Sequence, residues 1–100
     1  MTGVFVVFDL GEDFDAARLT QLARGAAPKF AGMAGLRSKT FTLDPAARQA
    51  VNFYVWETEA QARHFFSEAT LAWVTQVYGV RPTLRFVAIA DRVENAPRAD

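Results

Sequence analysis

The order in which the hydrophobic period changes along this chain limits its fold more than any other feature. Runs rich in β-branched and aromatic residues predict four strands. They are residues 4–8, 36–43, 51–57 and 84–90. Between the first and second runs, and again between the third and fourth, apolar residues recur at the spacing of about 3.6 that one face of a helix requires. The chain is therefore predicted to fold as strand–helix–strand–strand–helix–strand.

This order is typical of an α+β ferredoxin-like βαββαβ fold, in which an antiparallel four-stranded sheet carries both helices on one face. The chain has 100 residues, and we expect 1–100 to form a single domain with a frayed polar tail at 95–100. At this length, folding buries roughly two-thirds of the surface of the unfolded chain. That is enough to build a stable core without disulfides.

The first predicted helix has a clear beginning and a weak end. Asp13 or Asp15 is expected to cap it, because a carboxylate can accept a hydrogen bond from the free backbone amides of the first turn. Gly25 and Pro28 weaken its far end, and Pro28 predicts a kink or an end because proline lacks a backbone donor. Its apolar stripe consists of Leu19, Leu22, Ala23, Ala26 and Phe30.

The second helical region begins with a capping box at Thr58 and Gln61. A break at Ser67 is expected, since serine can cap a second helix, and Gly79 suits the end of the segment. The predicted apolar stripe consists of Ala62, Phe65, Phe66, Ala69, Trp73 and Val77.

Composition excludes several classes of function. Eleven basic residues balance eleven acidic ones, so no positive field attracts nucleic acid or anionic lipid. The chain has no cysteine, which excludes thiolate zinc sites and a cysteine nucleophile. No apolar stretch approaches the roughly 20 residues of a membrane span, and the N-terminal apolar run is too short for the core of a signal peptide. A soluble cytoplasmic protein without nucleic-acid or membrane partners is the expectation.

The predicted strands carry apolar side chains on both faces, whereas a half-buried antiparallel strand should alternate apolar and polar residues. In the third strand Phe53 and Val55 point one way, while Tyr54 and Trp56 point the other. We assign Phe53, Val55 and Leu36 to the side beneath the helices. The opposite set is then predicted to lie on the open side of the sheet; it consists of Lys39, Phe41, Tyr54 and Trp56.

Such an open surface would exceed the apolar patch usual on a monomer. A second copy packed face to face about a two-fold axis is the simplest cover, and a homodimer is therefore predicted. Polar residues among the aromatics, such as Lys39, Asn52 and Arg37, indicate that the cover is incomplete and leaves a pocket suited to a small molecule. The alternative is that these side chains only fill the dimer core.

Two segments resemble a known family. Residues 35–42 (GLRSKTFT) are similar to the second-strand signature of the YdhR-like family of candidate monooxygenases, and residues 54–62 (YVWETEAQA) are similar to its strand-into-helix segment. The resemblance extends from Val4 to about Asn95. The sequence departs from the family where it has Ser38 and Phe41 in place of tryptophan.

The resemblance implies a dimeric α/β barrel akin to the antibiotic-biosynthesis monooxygenase superfamily. Members of that group oxidise aromatic or polyketide-like substrates, some of them without metal or flavin. It therefore implies a cofactor-independent monooxygenase that acts on a small aromatic or quinone-like substrate, with no cofactor of its own. The pocket would lie between the open side of the sheet and its helices or the dimer mate.

Several side chains are candidates for the chemistry. Lys39 could anchor an anionic or phenolate substrate or stabilise a reduced-oxygen anion, but it could also be a strand lysine paired with Glu57. Tyr54 could hydrogen-bond a substrate oxygen. His64 is the only histidine and a weak candidate base, although its helical phase turns it toward solvent. The predicted ligand contacts are Lys39, Phe41, Asn52, Tyr54, Trp56 and Phe86.

Other kinds of site have little support in the sequence. A lone histidine with scattered carboxylates does not form a ligand-spaced cluster, so no metal site is predicted. Two rivals to the oxygenase remain open. One is a non-catalytic module on the same dimer that binds small molecules or serves a stress-related role. The other is a purely structural dimer with no cavity beyond a water-sized void.

Overall fold

The computed structural model describes residues 1–96, which follow the predicted order of strands and helices. The elements are β1 (Thr2–Asp9), a 3-10 turn (Gly11–Asp13), α1 (Ala16–Phe30), β2 (Leu36–Asp44), β3 (Gln49–Trp56), α2 (Glu59–Phe65), α3 (Glu68–Tyr78) and β4 (Thr83–Ala88). Of the tail predicted to fray, 95–96 have no regular secondary structure and 97–100 lie outside the described residues.

The four strands form one antiparallel sheet in the order β2-β3-β1-β4. β1 and β3 occupy the centre, and the two strands of the β2–β3 hairpin lie side by side. This topology, with three helices, confirms the predicted α+β ferredoxin-like fold. No helix in the described part of the chain is long and apolar enough to cross a bilayer.

The first helix begins where the sequence predicts and extends further. The side chain of Asp15 caps α1 by accepting a hydrogen bond from the backbone N–H of Arg18 at 3.1 Å. Pro28 lies inside the helix, which continues two residues past it to Phe30. Those two residues matter because they carry Phe30 back over the sheet, where it packs against the core.

The second helical region divides at Ser67, as predicted. Thr58 and Gln61 form a complete capping box at the start of α2, and the Ser67 side chain caps α3 by accepting from the backbone of Thr70. Gly79 ends α3 in the left-handed region at φ 86°, which glycine adopts without the steric cost that other residues incur. The break changes the helical phase, so Leu71, Val74 and Tyr78 face the core while the predicted stripe residue Trp73 is 46% exposed.

The capping box gives a direct test of this boundary. Thr58→Ala removes the hydroxyl that accepts from the Gln61 backbone N–H at 3.1 Å. The loss of an N-cap hydroxyl costs about 1 kcal/mol, so we expect the free energy of unfolding in urea to fall by that amount with an unchanged m-value. Thr58→Ser, which keeps the hydroxyl, should stay within about 0.5 kcal/mol of the wild type. Equal losses in both variants would show that the cap contributes nothing.

The predicted assignment of the two sheet faces is wrong for β3. Tyr54 and Trp56 are 3% and 2% exposed and belong to the core beneath the helices, together with Val4, Val6 and Phe8 of β1. Phe53 and Val55 alternate with them and therefore lie on the opposite side. The sequence could not show which set faces the helices, because odd and even positions of β3 both carry apolar residues. We name the side under the helices the helix face and the other side the open face.

A β-bulge explains why the predicted face was correct for Leu36 of β2 but wrong for Lys39 and Phe41 of the same strand. The register shifts between Leu36, which is opposite Trp56, and Ser38, which is opposite Val55. The extra residue lets Leu36 share the helix face with Lys39 and Phe41 even though strict alternation would separate them. Leu36 is beneath the helices as predicted, whereas Lys39 and Phe41 are not on the open face.

The open face is apolar at its centre and polar at its rim. The phenyl rings of Phe5 and Phe53 pack with centroids 4.5 Å apart. Gly3 leaves room for this pair, because a Cβ at that position would lie 2.8 Å from the Phe53 ring. Alternation along the strands places further valines on this side; they are Val7, Val51, Val55 and Val87. The surplus of apolar surface predicted from the sequence therefore exists, but different residues form it.

Candidate functional site

Lys39 lies on the helix face, surrounded by three aromatic rings. Its Nζ is 3.6 Å from the ring centroid of Phe30, 4.2 Å from that of Phe41 and 4.5 Å from that of Tyr54. The alternative role considered for Lys39, a salt bridge with Glu57, does not occur, since Glu57 instead faces Arg37 at 4.0 Å. Among the described residues, no carboxylate lies within ion-pair distance of Lys39. Within residues 1–96, the ammonium group therefore contacts ring faces and pairs with no carboxylate.

This environment changes the acidity of the lysine. Burial, which removes water from the ammonium form, lowers the pKa of Lys39 from 10.5 to about 7. The ring faces favour the ammonium form and act against part of this effect. A lysine that titrates near neutral pH can accept or donate a proton under physiological conditions.

A small cavity lies on the core side of Lys39, between the sheet and all three helices. We name it the Lys39 cavity. Its wall is almost entirely apolar, and the polar side chains that reach it are Lys39, Asn52, Tyr54 and Tyr78. Its aromatic lining consists of Phe8, Phe30, Phe41, Tyr54, Phe65, Phe66, Trp73 and Tyr78. The cavity has about 40 Å³ of space for the centres of water molecules, which admits a few waters but no aromatic ring.

A second space, the edge cavity, lies between α1 and the β2–β3 hairpin and measures about 130 Å³. Phe41, Asn52 and Tyr78 line both cavities. These three side chains form the partition between the two cavities. Within it, Asn52 Nδ2 donates a hydrogen bond to Tyr78 Oη at a long 3.4 Å, so this polar contact is weak. Displacement of these three side chains would join the two spaces into one site.

The two tyrosines differ in what they can do. Burial, and next the nearby Tyr78, raise the pKa of Tyr54 above its ordinary value of 10.0. Tyr54 therefore remains protonated at neutral pH and can donate a hydrogen bond to a substrate oxygen, but it cannot serve as a base. The ring of Tyr78 stacks on Phe8 with centroids 3.8 Å apart, which holds its hydroxyl near Asn52.

The structure brings four of the predicted contact residues to the Lys39 cavity and leaves the others outside it. Lys39, Phe41, Asn52 and Tyr54 line it. Trp56 is beside it in the core and instead lines a shallow surface groove with His64, which is exposed. Phe86 packs against Phe66 and carries the guanidinium of Arg63 over its ring at 4.2 Å. These arrangements do not assign a role to Trp56, His64 or Phe86.

Two features in and beside the site were not predicted from the sequence. Tyr78 falls just past the predicted stripe of the second helical region, and only the phase change at Ser67 turns it inward. Trp56 Nε1 is buried and has no hydrogen-bond partner among the described residues. Among residues 1–96, no group of three or more histidine or acidic residues could hold a metal ion.

Solved structures share this fold. A monooxygenase from the ActVA-Orf6 gene of Streptomyces coelicolor, solved in complex with Nanaomycin D, superposes with a TM-score of 0.69 at 20% identity over 95% of this chain and 92% of its own. A candidate antibiotic-biosynthesis monooxygenase from Deinococcus radiodurans gives 0.65 at 13% identity over 97% and 100%. Rv0793 of Mycobacterium tuberculosis gives 0.67 at 18% identity over 93% and 98%.

These likenesses define the class of fold. The chain shares the α+β ferredoxin-like fold of these solved structures, and sequence identities of 20% or less carry that conclusion no further. No protein-family model matches the chain. No curated protein matches it in sequence. The predicted membership of the YdhR-like family stays a prediction, and the chemistry must be argued from the site itself.

Proposed function

We propose that this protein is a cofactor-independent monooxygenase of the YdhR-like kind, which oxidises a small phenolic or quinone-like substrate in the Lys39 cavity. The observation that carries the proposal is the lysine itself. Lys39 is a base of near-neutral pKa, lacks a carboxylate partner among the described residues, and lies at the wall of an aromatic cavity. The shared fold of a Streptomyces monooxygenase supports it.

The chemistry follows from the charge that Lys39 can accept. A neutral amine takes the proton of a bound phenol, and the resulting ammonium stabilises the phenolate in a site that contains little water. An electron-rich phenolate can reduce dioxygen directly. A phenol and dioxygen then give a quinone and water, so the substrate supplies all four electrons and the reaction requires no bound cofactor. Tyr54, which stays protonated, would donate a hydrogen bond to the substrate oxygen.

The present volume of the cavity requires that the site open when a substrate binds. A cavity with about 40 Å³ for water centres cannot hold a ring. We infer that the partition of Phe41, Asn52 and Tyr78 moves, which would join this space to the edge cavity of about 130 Å³. The weak Asn52–Tyr78 contact favours such a movement because little is lost when it breaks.

A homodimer is part of the proposal. The open face has an apolar centre of phenylalanines and valines, and Arg85 and Thr40 lie toward its edges, an arrangement that resembles the apolar core and polar rim of protein interfaces. A second copy that packs the same face about a two-fold axis would cover it. In this arrangement the pocket lies within each protomer, on the other side of the sheet from the interface.

Dioxygen uptake with labelled gas tests the reaction. We expect 1-naphthol and related phenols to be converted to quinones, with one labelled oxygen atom from ¹⁸O₂ in the quinone and the other in water. His64→Gln is a control variant that should keep the wild-type rate of uptake, because His64 is exposed and lines only the surface groove beside Trp56. Uptake that yields hydrogen peroxide and no labelled quinone would contradict monooxygenation.

The non-catalytic binding module gives a different result in the same assay. It predicts that phenols raise the melting temperature without any turnover, since a ligand that binds only the folded state stabilises it. A broad panel of phenols that neither react nor stabilise the protein would exclude both functions. That result would leave a structural dimer as the remaining interpretation.

A further inference from the structure

The surroundings of Lys39 also point to a reaction that requires no oxygen. We propose that the Nζ of Lys39 is a selective amine nucleophile that captures aromatic aldehydes as an imine at the wall of the Lys39 cavity. The inference rests on the position of Lys39 between two spaces and on the rings that surround it. It holds whether or not the protein is an oxygenase.

Lys39 can be reached from outside the core. A depression that we name the outer groove lies on the other side of Lys39 and measures about 280 Å³. Lys39, Phe30 and Phe41 line both this groove and the Lys39 cavity. An aldehyde that enters the groove therefore meets the amine before it reaches the core.

The rings beside Nζ in the outer groove would select the aromatic members of the aldehyde class. The ring centroids of Phe30 and Phe41 lie 3.6 and 4.2 Å from Nζ and both rings line the groove, so an aryl group attached to the reacting carbon would contact their faces or edges. An aliphatic aldehyde of the same reactivity lacks this contribution. We therefore expect the preference for Lys39 over Lys29 to be larger with benzaldehyde than with acetaldehyde, since the comparison of the two lysines removes the difference in reactivity between the aldehydes.

Burial favours the neutral form of the amine, and no carboxylate nearby in the described part of the chain opposes it. The titratable or charged side chains that line the two spaces beside Lys39 are Tyr54 on β3, Tyr78 on α3 and Arg37 on β2, and no carboxylate is among them. Burial lowers the pKa to about 7, so a large fraction of Lys39 is neutral at that pH. An ordinary lysine is neutral in fewer than about one in a thousand molecules there.

The step is balanced without an added oxidant or reductant. The nitrogen lone pair forms a bond to the carbonyl carbon, and the carbonyl oxygen leaves as water with two protons, both supplied in net terms by the amine. A carbon–nitrogen double bond replaces the carbon–oxygen double bond. Sodium cyanoborohydride then supplies a hydride and so converts the imine into a stable secondary amine, which records where it formed.

The chain provides its own control because it contains only two lysines, Lys29 and Lys39. The Lys29 Nζ lies 5.1 Å from the exposed Trp73 ring on the helix surface. The folded protein would be treated under nitrogen at about pH 7 with benzaldehyde and cyanoborohydride, and the benzyl group located by peptide mass spectrometry. We expect at least about 20-fold more label on Lys39 than on Lys29, a threshold well below the several-hundred-fold excess of neutral amine that a pKa of about 7 gives over an ordinary lysine at that pH.

Three further measurements keep the result decisive. Lys39→Arg should lose that label while Lys29→Arg keeps it, and the preference should disappear in protein unfolded by urea. The N-terminal amine is scored separately because it also reacts at this pH. Equal labelling of the two lysines in the folded protein, or labelling of Lys29 and the N-terminus alone, would overturn the proposal. Oxygen uptake in the absence of this trapping would leave the oxygenase standing and overturn only the imine.

Discussion

Lys39→Met should abolish oxygen uptake and stabilise the protein at the same time. Methionine fills a similar volume among the rings of Phe30, Phe41 and Tyr54 but can neither accept a proton nor stabilise a phenolate. The loss of a general base lowers turnover by about 100- to 10,000-fold. Initial rates of oxygen consumption with 1-naphthol, measured at saturating and limiting substrate, check the activity.

The same substitution should remove a pH dependence of stability. The folded pKa of about 7 lies below the unfolded value of 10.5, so between these values the unfolded state binds more protons and wild-type stability rises with pH. We expect an increase of about 1–3 kcal/mol from pH 6.5 to pH 9.5, reduced from the full linkage value because the side chain is only half-buried. Lys39→Met should lack this rise and exceed the wild type most clearly near pH 6.5.

Ionisation of tyrosine limits the upper end of the pH range over which the effect of Lys39 on stability can be measured. Burial raises its pKa in the folded state above 10.0, so stability is lost as the unfolded tyrosine ionises at higher pH. Urea unfolding should therefore be compared below about pH 9.5, and the difference between variant and wild type should be used instead of the absolute curve.

One further substitution separates the possible roles of Lys39, and a second serves as its control. Lys39→Arg keeps a positive charge but cannot act as a base at this pH, so residual activity in this variant would indicate an anchor for the phenolate instead of a proton acceptor. Lys29→Met removes a lysine from the helix surface and should leave uptake unchanged. Full activity in Lys39→Met would refute the proposed chemistry.

Phe53→Glu should convert the proposed dimer to monomers. Phe53 lies at the centre of the open face, 4.5 Å from the ring of Phe5, and a two-fold axis would bring its counterpart into the same interface. Two buried carboxylates without partners would raise the dissociation constant by about 100-fold or more. Sedimentation velocity across a range of protein concentrations measures this change.

The fold should tolerate this substitution in the monomer. Phe53 is outside the core cluster beneath the helices, so circular dichroism should match that of the wild type. Ala46→Glu, in the exposed β2–β3 turn, adds the same charge away from the open face and should remain dimeric. A wild type that stays monomeric at high concentration, or a Phe53→Glu variant that dimerises normally, would contradict the interface.

The order of the elements could be predicted from local sequence because each signal acts within a few residues. Asp15, the Thr58 capping box, Ser67 and Gly79 mark the helix ends by hydrogen bonds or backbone angles that involve near neighbours. Runs of β-branched and aromatic residues mark the strands, and apolar residues at a spacing of about 3.6 mark the helices, in the same local way. Four residues of the candidate site were also identified, since a lysine, an amide and aromatic side chains stand out in adjacent strands.

Only the tertiary structure decided which side of the sheet those residues face. Because both parities of β1 and β3 are apolar, a period of two permits either choice, and the one-residue bulge after Leu36 moves Lys39 to the same side as Leu36. The burial that lowers the pKa of Lys39 likewise depends on Phe30, Phe41 and Tyr54, which α1, β2 and β3 bring together from separate parts of the chain. Burial and ring contacts between distant residues are properties of packing, and no local pattern of residues encodes them.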